Sequence, residues 1–155
     1  MTGLHLGGMS ISSPAFGHGE PIPDHHTCNG DDVSPELAWS DVPDGTVEFA
    51  LVCHDPDAPL TDGFTHWVIY GIPRDATGIP EGGGGAFVEG VNDFGNSGYG
   101  GPAPPPGHGI HFYYFHLYAL SGAVDAGPGL SRGELLAKID PLIQVQARIV
   151  GTYSR

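Results

Sequence analysis

The sequence predicts a compact, β-rich domain, and three observations carry that expectation. Four runs rich in β-branched and aromatic residues end at turn residues, one of them alternates apolar with polar positions, and a single segment has complete helix start and stop signals. A chain of 155 residues suffices for one domain, 1–155, that buries most of its apolar surface without a disulfide framework or a structural metal.

The runs 47–53 (VEFALVC), 66–72 (HWVIYGI) and 110–120 (IHFYYFHLYAL) are nearly apolar throughout, as central strands covered on both faces would be. In 143–150 (IQVQARIV), Ile143, Val145, Ala147 and Ile149 alternate with Gln144, Gln146 and Arg148, the period of a strand with one wet face. The helix is expected over 131–140, where Ser131 and Glu134 form an S-x-x-E capping box, Leu135, Leu136 and Ile139 make the apolar stripe and Pro141 stops it. With 26 glycines and 15 prolines, the stretches 80–90 and 92–109 read as long loops without regular elements. The run Gly82 to Gly85 reads as a surface turn, since no helix-forming segment follows to make it a phosphate cradle.

The formal net charge of −13, from 18 acidic residues against five basic ones, disfavours non-specific binding to nucleic acid or to an anionic membrane. The acidic residues are scattered and mostly Asp, which points to an acidic surface suited to a salt-rich cytoplasm, where repulsion among carboxylates is screened. No run approaches the roughly 18 apolar residues of a membrane span, and residues 1–16 lack a basic start, so a cytoplasmic protein without membrane insertion is expected. Cys28 and Cys53 lack zinc-site spacing and are expected as buried free thiols, with a single disulfide left open.

Four segments carry residues suited to chemistry. His54-Asp55-Pro56-Asp57-Ala58-Pro59 follows an apolar run and offers two carboxylates for orienting a histidine or holding a metal; the plainer alternative is an Asx turn. Thr65-His66-Trp67 and His108-Gly109-Ile110-His111-Phe112-Tyr113 place histidines at strand mouths, where an imidazole can meet a ligand or simply satisfy a local partner. Residues 92–102 (NDFGNSGYGGP) are dense enough in glycine for several backbone N–H groups to converge on an anion, or to form a solvent loop.

Together with Ser34-Pro35-Glu36-Leu37-Ala38-Trp39 and Gly151-Thr152-Tyr153-Ser154-Arg155, these segments resemble the phosphatidylethanolamine-binding protein family, in its bacterial and archaeal, Raf kinase inhibitor-like branch. The resemblance runs in order along nearly the whole chain. It implies a mainly β fold, a Greek-key-like antiparallel β-sandwich with a large and a small sheet and one or two short helices. It also implies an anion pocket with Asp55, Asp57, Ala58 and Pro59 as one wall, His66 and His111 facing the ligand, and Tyr113 and the Gly100-Gly101 turn closing it. Phe112 stands where the family commonly has Arg, which removes one cation from the rim. With no long helix before the end at Arg155, the mouth is expected to be more open than in the eukaryotic branch.

The function expected on these grounds is binding of a small anion, phosphate or a phosphorylated headgroup, in a regulatory role and without a cofactor. Two alternatives stay open: a hydrolase using Asp55, Asp57, His66 and His111 with a metal or as acid and base, and an inhibitor of a kinase or other enzyme. The pairing that the resemblance implies for prokaryotic members, together with the aromatic density of residues 111–118, points to a homodimer.

Overall fold

The computed structural model describes residues 8–155. Its larger sheet is built around three long strands that match the apolar runs: β4 (Glu48–Asp55), β5 (Phe64–Pro73) and β8 (His111–Leu120). The alternating run becomes β9 (Ile143–Tyr153), with Val145, Ala147 and Ile149 buried and Arg148 exposed. Short strands β2 (Glu20–Pro21) and β7 (Val88–Glu89) complete the order β2-β9-β8-β4-β5-β7. The sheet is antiparallel, as expected, apart from the two-residue β2, which runs parallel to β9. A second sheet joins β1 (Ser10–Ser12), β3 (Leu37–Ser40) and β6 (Gly78–Ile79) in the order β1-β3-β6.

Apolar residues on both faces of β4 and β5 have a simple cause. On one face Phe49, Leu51, Trp67, Ile69 and Phe115 pack with Ile11, Leu37, Trp39 and Ile79 of the small sheet. On the other, Ala50, Val52, Val68 and Tyr70 meet Leu135 and Ile139 of the helix α1 (Arg132–Ile139). A sheet covered twice has no wet face to mark with polar residues. Of the aromatic run in β8, Phe112 alone is exposed, and Tyr113, Phe115 and Tyr118 are buried.

Several expectations need correction. The stretch 80–90 is not wholly irregular, because Gly83–Ala86 forms a 3-10 turn and Val88–Glu89 pairs with β5. Both cysteines are free thiols, and Cys53 is buried, but Cys28 is exposed. His54 and Asp55 form the end of β4, with residues 56–59 in the turn after it, and Thr65 and His66 open β5, as expected of both motifs.

Candidate functional site

The ends of β4, β5 and β8 meet at one edge of the face that packs on the small sheet, and a cavity of about 220 Å³ opens there. Asp55, Ala58, Pro59, His66, His111 and Tyr113 line it. A β-bulge brings His66 to this wall. Cys53 pairs with Trp67 and His54 with Thr65, so His66 is the extra residue of β5. Thr65 turns away with His54, whose Nδ1 lies 3.0 Å from the threonine hydroxyl. The bulge leaves His66 on the cavity side, its ring 4.9 Å from Phe64 and 5.2 Å, edge-on, from Tyr113.

Hydrogen bonds set what each ring presents. His111 Nδ1–H donates to Asp55 Oδ2 at 2.6 Å, and both residues are buried. The other carboxylate oxygen accepts the Asp57 N–H at 2.7 Å, closing an Asx turn. His111 Nε2 lies 2.6 Å from His108 Nδ1, so a proton is shared between them and a continuous chain leads from buried Asp55 to exposed His108. His66 Nδ1–H donates to the Gly100 carbonyl at 2.7 Å. Its Nε2 makes no hydrogen bond among the described residues and, in the neutral ring, is an acceptor.

Burial lowers the His66 pKa despite that carbonyl and nearby Asp55, which keeps the resting imidazole neutral at pH 7. Burial, with the Asp55 charge beside it, raises the Tyr113 phenol far above its ordinary value. Tyr113 is therefore a fixed O–H group, and it too has no hydrogen-bond partner among the described residues.

A sequence model described as phosphatidylethanolamine-binding protein matches residues 12–154. The chain belongs to the phosphatidylethanolamine-binding protein family. Among its relatives, a UPF0098 protein of Aquifex aeolicus is 46% identical over 155 residues, covering 95% of this chain and 89% of the relative. One from Methanothermobacter thermautotrophicus is 40% identical, covering 95% and 99%. The crystal structure of the family homolog CT736 from Chlamydia trachomatis superposes with a TM-score of 0.90 at 35% identity, covering 96% of this chain and 99% of that one. E. coli YbcL, described as a member of the mammalian family, gives 0.89 at 32%, covering 95% and 98%.

In this family member three of the expected site residues stand off the cavity lining. Asp57 is exposed, and its Oδ2 accepts the Phe112 N–H at 3.1 Å, pinning the turn to the start of β8. The Gly100 N–H donates to the His66 carbonyl at 2.9 Å, and the Gly101 N–H to Asp32 Oδ1 at 2.7 Å. The glycine loop does not hold open donors for an anion, because these N–H groups are spent inside the protein. Glycine is needed there for close approach instead: a Cβ on Gly100 would lie 2.5 Å from the Phe94 ring, and one on Gly101 would strike the His26 carbonyl.

Sequence reasoning missed the apolar half of the wall, made by Leu60, Phe64, Phe94 and residues 103–105. It also missed His108 as the outer member of the Asp55–His111 chain, although the i, i+3 spacing of the two histidines was visible. Among the described residues no Lys or Arg lines the cavity. Arg155 lies behind the wall, its Nε–H donating to the Pro104 carbonyl at 2.7 Å, and its charge opposes the rise in the Tyr113 pKa.

Proposed function

We propose that this chain is a member of the prokaryotic Raf kinase inhibitor-like branch that binds a phosphate or phosphomonoester group in the Asp55–His66–His111 cavity, as a regulatory signal and not as the start of a reaction. The observation that carries this reading is the pair of unspent polar groups, the Tyr113 hydroxyl and His66 Nε2, on a cavity of about 220 Å³ whose other polar side chains, Asp55 and His111, are paired with each other. Such a site suits a small ligand with a few directed polar contacts. The hydroxyl donates to a phosphoryl oxygen. Neutral His66 accepts from a P–OH group, and a dianion instead requires His66 to be protonated. Both routes take up one proton per dianion bound. Hydrolysis is less well supported, because both Asp55 oxygens are already engaged, by His111 and by the Asp57 N–H.

Titration calorimetry with inorganic phosphate and with phosphoethanolamine tests the reading and separates a free ion from a headgroup. His66→Ala and Tyr113→Phe should each weaken binding by about 1.5–3 kcal/mol, the worth of a hydrogen bond to a charged group. His111→Ala should cost at least as much, because it leaves the Asp55 carboxylate buried, unpaired and facing the anion. Affinity should rise as pH falls from about 8 to 6, through the second phosphate pKa near 6, and should keep rising below the ordinary histidine value, because His66 titrates low. His5, which falls outside every motif, also lies outside the described residues. The control is therefore His116→Gln, which stands on the opposite face of β8. Variants that all bind phosphate like the parent, or an affinity indifferent to pH, would remove this cavity as the site.

A further inference from the structure

A second cluster of ligating groups lies beside the glycine loop 92–102, apart from the cavity. His25 and His26 sit in the 3-10 turn Asp24–His26, and Glu81 lies in the loop after β6. The nitrogen and oxygen atoms that the three residues can offer fall within 4.8 Å of one another. His26 is 3% exposed. Its Nδ1–H donates to the Val33 carbonyl at 2.9 Å, which fixes the tautomer and leaves the Nε2 lone pair bare. That nitrogen has no hydrogen-bond partner among the described residues. The nearest ion-pair candidate, Glu81 Oε1, is 4.0 Å away, beyond hydrogen-bond reach.

A buried imidazole held in this way, with one nitrogen spent on a carbonyl and the other unpartnered, is what metal-ligating histidines show. His25 differs in that carboxylates engage both of its ring nitrogens, one of them the Glu81 carboxylate itself. Its Nδ1 lies 3.0 Å from Asp31 Oδ2 and its Nε2 3.2 Å from Glu81 Oε2. Two ligands of one tetrahedral ion, with bonds of about 2.1 Å, stand roughly 3.4 Å apart. The His25–Glu81 spacing already matches that figure. His26 Nε2 lies 4.0 Å from the other oxygen, Glu81 Oε1, and the three ligand atoms fall within 4.8 Å of one another, so the Glu81 carboxylate, whose side chain is 51% exposed, must turn and the rings draw in for one ion to meet all three.

We infer that His25 Nε2, His26 Nε2 and the Glu81 carboxylate form a site for a divalent first-row metal of the zinc class. Water takes the fourth position, and Asp31 and the Val33 carbonyl orient the two rings. Two imidazoles and a carboxylate suit zinc better than calcium or magnesium, which take all-oxygen shells. The ion clips the segment bearing His25 and His26 to the loop after β6. The same segment backs the phosphate cavity, since the Tyr99 hydroxyl donates to the His26 carbonyl at 2.7 Å and Asp32 holds the Gly101 N–H. Metal binding thereby steadies the glycine loop whose Gly100 carbonyl orients His66.

The test uses untagged protein stripped with chelator and titrated with zinc by calorimetry, and with cobalt(II) by visible absorption. One zinc per chain, a melting point that rises with zinc, and a tetrahedral cobalt spectrum are expected. Glu81→Gln, at an exposed position that leaves the fold intact, and His26→Ala should each lower zinc affinity by at least about tenfold. Asp31→Asn should lower it by about tenfold, the usual loss for an outer-shell partner. Zinc that does not bind at all, or that stays bound in Glu81→Gln and His26→Ala and is lost from His111→Ala, overturns the assignment.

Discussion

His116 stands on β8 with its ring stacked between Tyr114, at 5.7 Å, and Tyr118, at 6.2 Å. Burial, then the Arg148 and Arg132 charges, lowers its pKa to about 4. The unfolded chain takes up a proton near the ordinary value of about 6.5, whereas the folded chain resists until about 4. Between those values the unfolded state binds more protons, so stability rises with pH there and is lost as pH falls. The loss at pH 5 relative to pH 7.5 should be on the order of 2 kcal/mol. Urea unfolding of the parent and of His116→Gln at the two pH values measures it, and a pH dependence equal in both would dismiss this histidine as the cause. The residue types at the cavity were legible in the sequence, but their roles were not. Whether a ring nitrogen donates or accepts depends on its other partner, and for His66 that partner is the carbonyl of Gly100, 34 positions away in the chain.

At the level of elements, the single helix keeps the start that its sequence announces. Ser131 Oγ accepts from the Glu134 N–H at 3.2 Å, and Glu134 Oε1 accepts from the Ser131 N–H at 2.9 Å. The Ser131 N–H on the carboxylate, then the Ser131 side chain beside it, hold the Glu134 pKa below its ordinary value. Ser131→Ala should cost about 1 kcal/mol, which for a chain of this size lowers the melting point by roughly 2–4 °C. A scan showing no change would mean that the packing of Leu135 and Ile139 on the sheet holds the helix without its cap. The long strands were legible for the same local reason, a pattern of burial written over eight or more residues. Strands β2, β6 and β7 have two residues each, too few to show any period, and they exist only because a neighbouring strand presents a free edge.

For the whole molecule, the charge of −13 is not offset by pairing. Among the described residues every ion pair involves a histidine, and neither Lys138 nor any arginine sits within reach of a carboxylate. Surface carboxylates therefore repel one another across distances that salt screens, about 10 Å at 0.1 M. The melting point should climb from dilute buffer to molar potassium chloride. A flat or falling curve would argue against adaptation to a saline cytoplasm. Salt would also weaken the proposed phosphate binding, so the binding and stability measurements need the same salt.

By itself the sequence determined the long strands, the helix with its cap, the two-sided burial of the central strands and the segments that contribute to the cavity. Each of these follows from side-chain type and spacing within a few residues. The tertiary structure alone decided which groups at the cavity remain free to meet a ligand. The bulge that turns His66 inward exists only in the register of β5 against β4. The N–H groups of Gly100 and Gly101 are spent on His66 and Asp32, and His26 is left with a bare nitrogen beside Glu81. All of these are pairings between distant residues. Hydrogen-bonding capacity is a local property of a residue, but whether it is already used depends on what the fold brings beside it.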